Sequence, residues 1–298
     1  MKEELIKFKN GYCYKVLVNA SQTPTGSENF TCRYTGEEQD MKRFGYGTSA
    51  CKQATLSFSV KSNKTGLYSV QVYIGNNSPN IIETYTINSA NTWEFKKITI
   101  PGDPSGTINN DNDIGMSLYW LLGAGADYTA GSGNNSTWGA YSTGNFAAGH
   151  LTDWAETSGA TFFLTGVQLE VGSVCTPFDH LSYGEELALC QRYYAKIVSH
   201  GNYTVFGAGY CGNTTNAYFH IPLPVTMRAQ PTIAGLNGSF AIIDGSGYNV
   251  SSSSVDLSSS GPYAVRVDAV SSGLTHGRGV LLRANNDNDA FIYAHAEI

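Results

Sequence analysis

The stretch "ATLSFSVKSNKTGLYSVQVYI" (residues 54–74) sets the character of the chain. Its arms, ATLSFSV and LYSVQVYI, are β-branched and aromatic, and the polar "KSNKTG" (61–66) between them reads as a hairpin-type connection. The same signature recurs on both sides: YCYKVLV (12–18), NIIETYTI (80–87), WEFKKITI (93–100), IGMSLYWLL (114–122) and TFFLTGVQLE (161–170). In WEFKKITI the apolar members are Trp93, Phe95, Ile98 and Ile100. Short strands broken by Gly, Asn and Ser turns predict an all-β fold, an antiparallel jelly-roll β-sandwich over residues 11–181, with 1–10 as a separate N-terminal segment. A long Gly-rich stretch at 123–160 interrupts the set, and loops of that length usually carry function.

A helix follows. In "PFDHLSYGEELALCQRYYAKI" (177–197), Ser182 and Glu185 fit a capping box, Glu185 and Glu186 suit the positive end of the dipole, and Arg192 and Lys196 the negative end. Leu187, Cys190, Tyr194 and Ile197 form one apolar stripe, while Leu189, Tyr193 and Val198 fall off it. The expectation is a connecting helix over 182–199 that is buried on several sides. It packs either between two domains of one chain or against copies of itself about a symmetry axis.

Strand signals then restart at 203–210, 217–223, 239–244, 263–270, 279–284 and 291–298, which predicts a second, smaller β-sandwich or barrel-like domain over 200–298. Its low-complexity stretch "GSGYNVSSSSVDLSSSG" (245–261) reads as an exposed loop.

Composition limits the function. Only 14% of the 298 residues are charged, and residues 98–191 hold no Lys or Arg against ten Asp and Glu. Nucleic acid is therefore not an expected partner, because phosphate binding needs clustered cations. Six scattered cysteines without a C-x-x-C point to free, mostly buried thiols rather than a zinc site. No signal peptide opens the chain and no apolar run approaches a membrane span, so neither export nor membrane insertion is expected.

No nucleophile motif, metal-binding helix or paired carboxylates stand out, so the chain reads as non-enzymatic, with no catalytic residues and no cofactor. The runs NNDND (109–113 and 285–289) lack the glycine and the bidentate Glu of a calcium loop and read as turns, not as a metal site. Aromatic rings among amides and hydroxyls make sugar platforms. On that ground the candidate ligand contacts are Tyr248, His276 and Arg278 in the second domain, then Trp138 and Tyr141 in the long loop. Trp154 is expected to fold inward.

The segment "FFLTGVQLEVGSVCTPFDHLSYGEELALCQRYYAKI" (162–197) closely resembles one that recurs in tail-fibre and related virion proteins of tailed bacteriophages, nearest to those of marine bacteria and cyanobacteria. The stretches 54–70, 91–107 and 220–233 match the same style, and Cys175, Asp179 and Leu181 depart from it. The resemblance implies a homotrimeric virion protein, made in the host cytoplasm, with a jelly roll, a helix and a distal β domain. Leu187, Cys190, Tyr193, Tyr194 and Ile197 would then lie at the oligomer interface. The implied role is attachment to a host cell-surface polysaccharide or lipopolysaccharide. The alternatives are a structural spike or tail component that contacts other virion tail or capsid proteins and, less favoured, a polysaccharide depolymerase.

Overall fold

The computed structural model describes residues 2–8, 11–75, 79–131, 136–150 and 153–297. The chain divides into two compact units, Met1–His180 and Leu181–Glu297. Every strand pairing in both is antiparallel.

The first unit holds strands β1 (Lys2–Phe8), β2 (Gly11–Leu17), β3 (Asn29–Glu37), β4 (Ala54–Ser62), β5 (Gly66–Ile74), β6 (Asn80–Ile87), β7 (Glu94–Ile100), β8 (Ile114–Ala124) and β9 (Thr161–Val171). One sheet runs β1-β2-β9-β4-β7 and the other β3-β8-β5-β6, so from β2 onward the chain changes sheet at almost every step. This is a jelly-roll sandwich. Its core follows the period-two pattern of half-buried strands. Leu56, Phe58 and Val60 of β4 meet Val70 and Val72 of β5 and Trp120 of β8, all at most 1% exposed. Phe58 meets Tyr85 and Trp120 edge-on, with ring centroids at 5.1 and 5.7 Å.

Three expectations are corrected here. Within the expected 1–10 segment the described residues Lys2–Phe8 do not stand apart, because β1 pairs with β2 along its whole length. "KSNKTG" is not a hairpin, since β4 and β5 lie in different sheets. The Tyr68 hydroxyl donates to the Lys64 carbonyl at 2.8 Å and braces that crossing. In β7 the inward positions are Ile98 and Ile100, and the odd-numbered Phe95, out of phase with them, is 63% exposed.

The second unit begins with the helix Tyr183–Gln191. Its capping box is formed: the Ser182 hydroxyl accepts from the Glu185 amide, and the Glu185 carboxylate accepts from the Ser182 amide at 3.0 Å. The helix is shorter than 182–199 and is not buried; none of its residues is buried. Beyond Arg192 the aromatic and β-branched run takes over as β10 (Tyr194–Val198). Tyr194 and Ile197 are therefore strand residues, and the stripe they were expected to share with Leu187 and Cys190 is broken.

Strands β11 (Val205–Cys211), β12 (Asn216–Pro222), β13 (Ile233–Asn237), β14 (Phe240–Ile243), β15 (Gly247–Asn249), β16 (Ser252–Asp256), β17 (Ala264–Val270), β18 (Gly279–Ala284) and β19 (Phe291–His295) follow. They form a three-stranded sheet β10-β19-β13 and a seven-stranded sheet β15-β14-β18-β11-β12-β17-β16. Phe219, Ile221, Val265, Val267 and Leu282 are fully buried in this unit's own core. The serine-rich 245–261 stretch is not all loop. Ser252–Asp256 pairs with β17, with the Asp256 and Arg266 side chains 3.5 Å apart.

Candidate functional site

The four-stranded sheet of the first unit turns one set of side chains into the core and the other outward. On β8, Met116, Leu118, Trp120 and Leu122 point in, and Ser117, Tyr119 and Leu121 point out. On β5, Val70, Val72 and Ile74 point in, leaving Ser69, Gln71 and Tyr73 for the outer face. Arg33 and Thr35 supply the same face from β3.

Part of the long loop covers this outer face. Gly139 exchanges two backbone hydrogen bonds with Asn80, at 2.9 and 3.0 Å, and so extends the β6 edge. That places Tyr141 against Tyr73, ring centroids 5.4 Å apart. Phe146 packs edge-on to Tyr119 at 5.6 Å and tilted on Tyr128 at 4.9 Å.

Between loop and sheet lies a cleft of about 260 Å³, lined by Arg33, Tyr73, Ser117, Tyr119, Tyr141 and Phe146 among others. Among the described residues no carboxylate lines it. Arg33 Nη2 donates to Ser117 Oγ at 3.4 Å, and its guanidinium sits 5.4 Å from the Tyr119 ring centre. Ser117 Oγ is also 3.2 Å from Thr35 Oγ1. Burial pushes the Tyr73 phenol well above its ordinary value; the neighbouring Tyr141 adds to the rise and the Gln71 amide opposes it. The phenol thus stays a neutral donor and acceptor across the working pH range. The cleft offers rings, hydroxyls and one cation. It can bind a polar ligand with apolar faces, and it holds no acid–base pair.

Of the five expected ligand residues, the cleft contains Tyr141 alone, 39% exposed at its mouth. Trp138 is an anchor rather than a platform: its Nε1 donates to the Pro101 carbonyl at 2.7 Å and its ring meets Tyr46 edge-on. Trp154 is fully buried, as expected. In the second unit, Arg278 bonds Asp244 through Nη1 at 3.1 Å and through Nη2 to its carbonyl at 3.0 Å, so a carboxylate already neutralises it. Tyr248 is half-buried against that unit's core, and His276 is exposed on the turn before Gly277. Among the expected interface residues, Leu187, Cys190 and Tyr194 are exposed, and Tyr193 and Ile197 are half-buried.

Arg33, Tyr73, Ser117 and Tyr119 were not singled out from the sequence. The signal was present: polar and aromatic residues alternate with aliphatic ones on β8 and β5, so those strands have a second, patterned face.

Among the described residues no group of three His, Cys, Asp or Glu is placed to hold a metal ion. The two NNDND runs form turns in which Asp111 accepts from the Asp113 amide and Asp287 from the Asp289 amide, each at 2.9 Å. Among the described residues the six cysteines form no disulfide; Cys13, Cys32 and Cys211 are buried, and Cys190 is exposed. No described helix is long and apolar enough to cross a membrane.

No family model and no curated protein matches the chain. Among solved structures it is similar to a family 11 carbohydrate-binding module from Clostridium thermocellum in complex with a β-1,3-1,4-mixed-linked tetrasaccharide. Identity there is 15% and the TM-score 0.29, over 59% of this chain and 84% of that one. It is also similar to the structure described as "CBM4 structure and function", at 13% identity and TM-score 0.28, over 57% of this chain and 77% of that one. A third likeness, to Cucumber Necrosis Virus, has 11% identity and TM-score 0.18, over 100% of this chain and 90% of that one. Likenesses at these TM-scores carry no argument about what this chain binds.

Proposed function

We propose that the chain is a non-enzymatic attachment protein of a tailed-phage particle that binds a glycan of the host cell surface through the cleft of its first unit. The observation that carries this reading is the cleft itself: Tyr73, Tyr119 and Tyr141 beside the Ser117 hydroxyl and the Arg33 guanidinium, with no carboxylate among the described lining residues. Rings take the C–H faces of a sugar while hydroxyls and amides take its hydroxyl groups. The lack of a carboxylate pair there argues against depolymerase chemistry at this site. The resemblance of 162–197 to tail-fibre segments supplies the virion context. Assembly as a homotrimer belongs to the same reading, and three linked sites would multiply weak single-site binding.

The test is affinity electrophoresis against a panel of bacterial envelope polysaccharides, with reducing ends assayed in parallel. Wild type is expected to be retarded without releasing reducing ends, and Tyr141→Ala is expected to run free. Retardation by none of the panel would remove the glycan reading. A structural virion component that contacts other virion proteins would then take its place, and the exposed apolar residues Tyr183, Leu187 and Leu189 favour that second reading.

A further inference from the structure

The charge of Arg33 narrows the ligand. Its guanidinium is held on two sides, by Ser117 Oγ at 3.4 Å and by the Tyr119 ring at 5.4 Å, and it lines the cleft while staying exposed. No carboxylate among the described residues lies within ion-pair distance of it. Arg266 and Arg278 of the second unit differ. Arg266 bonds Asp268 through Nε at 2.7 Å and Nη2 at 3.0 Å, and Arg278 bonds Asp244. A guanidinium has five donors in a planar fork that matches the two oxygens of a carboxylate. At Arg33 the ring and one serine occupy only part of that fork. With no acid in the lining, the cleft carries one unbalanced positive charge beside the rings Tyr119 and Tyr141.

Resting on the glycan reading above, we infer that the cleft selects acidic glycans, those whose sugar carries a carboxylate of the uronic-acid type. The carboxylate pairs with Arg33 while the sugar's C–H face lies toward Tyr141. A neutral sugar would leave the guanidinium with water as its remaining partner and would gain only the ring and hydroxyl contacts.

The experiment is a glycan array bearing neutral, uronic-acid-bearing, and sulfated or phosphorylated glycans, probed with the full chain as wild type, Arg33→Gln and Tyr141→Ala. Wild type is expected to favour the uronic-acid glycans, and Arg33→Gln to lose on the order of tenfold on them, the loss typical of one charge-assisted pair. Arg33→Gln should lose less on neutral sugars than on uronic-acid glycans, whereas Tyr141→Ala should lose on both. Equal binding of neutral and uronic-acid glycans, or an unchanged preference in Arg33→Gln, overturns the acidic-ligand inference and leaves the glycan reading standing. Preference for sulfate or phosphate over carboxylate also overturns it. A blank array for wild type removes the glycan reading, and this inference falls with it.

Discussion

At the scale of single residues, two side chains separate binding from stability. Trp138 and Tyr141 are three positions apart in one loop, yet Trp138 turns inward to Pro101 and Tyr46 while Tyr141 faces the cleft. Trp138→Phe keeps the ring and removes the donor to Pro101. It should cost about 1 kcal/mol of unfolding free energy, the net worth of one hydrogen bond, and leave glycan binding unchanged. Denaturant midpoints and affinity electrophoresis on the same sample check both halves. Glu94 gives a pH-dependent case. Burial alone would raise its pKa, but the Lys96 ammonium at 2.6 Å, the backbone amides of Ser89 and Asn88, and the Asn88 side chain outweigh burial and hold it down at about 2. A folded pKa below the unfolded value means stability that is present above roughly pH 4.5 and lost as pH falls through about 2. Glu94→Gln should therefore be less stable than wild type by about 1–2 kcal/mol at pH 6, after allowance for solvent screening. Urea midpoints taken down to pH 2.5 should show that gap closing.

At the scale of elements, the start of the long loop is fixed by close backbone approach. The Gly125 amide donates to the Glu28 carbonyl at 2.9 Å, and a Cβ on Gly125 would lie 2.4 Å from the Gly26 carbonyl oxygen. Gly125→Ala must push two backbones apart, which should cost about 1–3 kcal/mol as overpacking does. It should also displace Tyr141 and Phe146, so binding should fall more than the melting temperature does. Retained binding with full stability would show that the loop entry adapts. The strands whose sequence alternates, such as Ala54–Ser62 and Ala264–Val270, could be read from local pattern alone. Asn29–Glu37 was missed because its inward positions include Cys32 while Thr31, Arg33 and Thr35 read as polar loop. Ser252–Asp256 was missed because serine carries no strand signal, and pairing with β17 overrides that neutrality. The helix was legible at its capped end and illegible at the other. Nothing within 183–198 announces that Tyr194–Val198 will pair with β19, a hundred residues away in sequence. The cleft was half legible for a related reason: Tyr141 stands in a conspicuous loop, but Arg33, Tyr73 and Tyr119 meet only after three strands are placed side by side.

At the scale of the whole molecule, the helix Tyr183–Gln191 raises the question of assembly. It has nine residues and none is buried, although Tyr183 is 80%, Leu187 39% and Leu189 52% exposed. Isolated helices of that length are marginal in water, and a capping box adds only about 1 kcal/mol. Tyr183, Leu187 and Cys190 share one side at three- and four-residue spacing, with Leu189 on another. Three copies around an axis would cover more than one such side, as the tail-fibre resemblance implies. Light scattering in reductant, which keeps the exposed Cys190 thiol from forming adventitious disulfides, should give a mass of three chains for wild type. Leu187→Asp should give one chain with an unchanged β-type circular dichroism spectrum, because no core contact of either unit is touched. A wild-type mass of one chain, with Leu187→Asp indistinguishable from it, would remove the trimer. The helix would then be a surface offered to a different protein, and avidity could no longer compensate for weak binding at a single cleft.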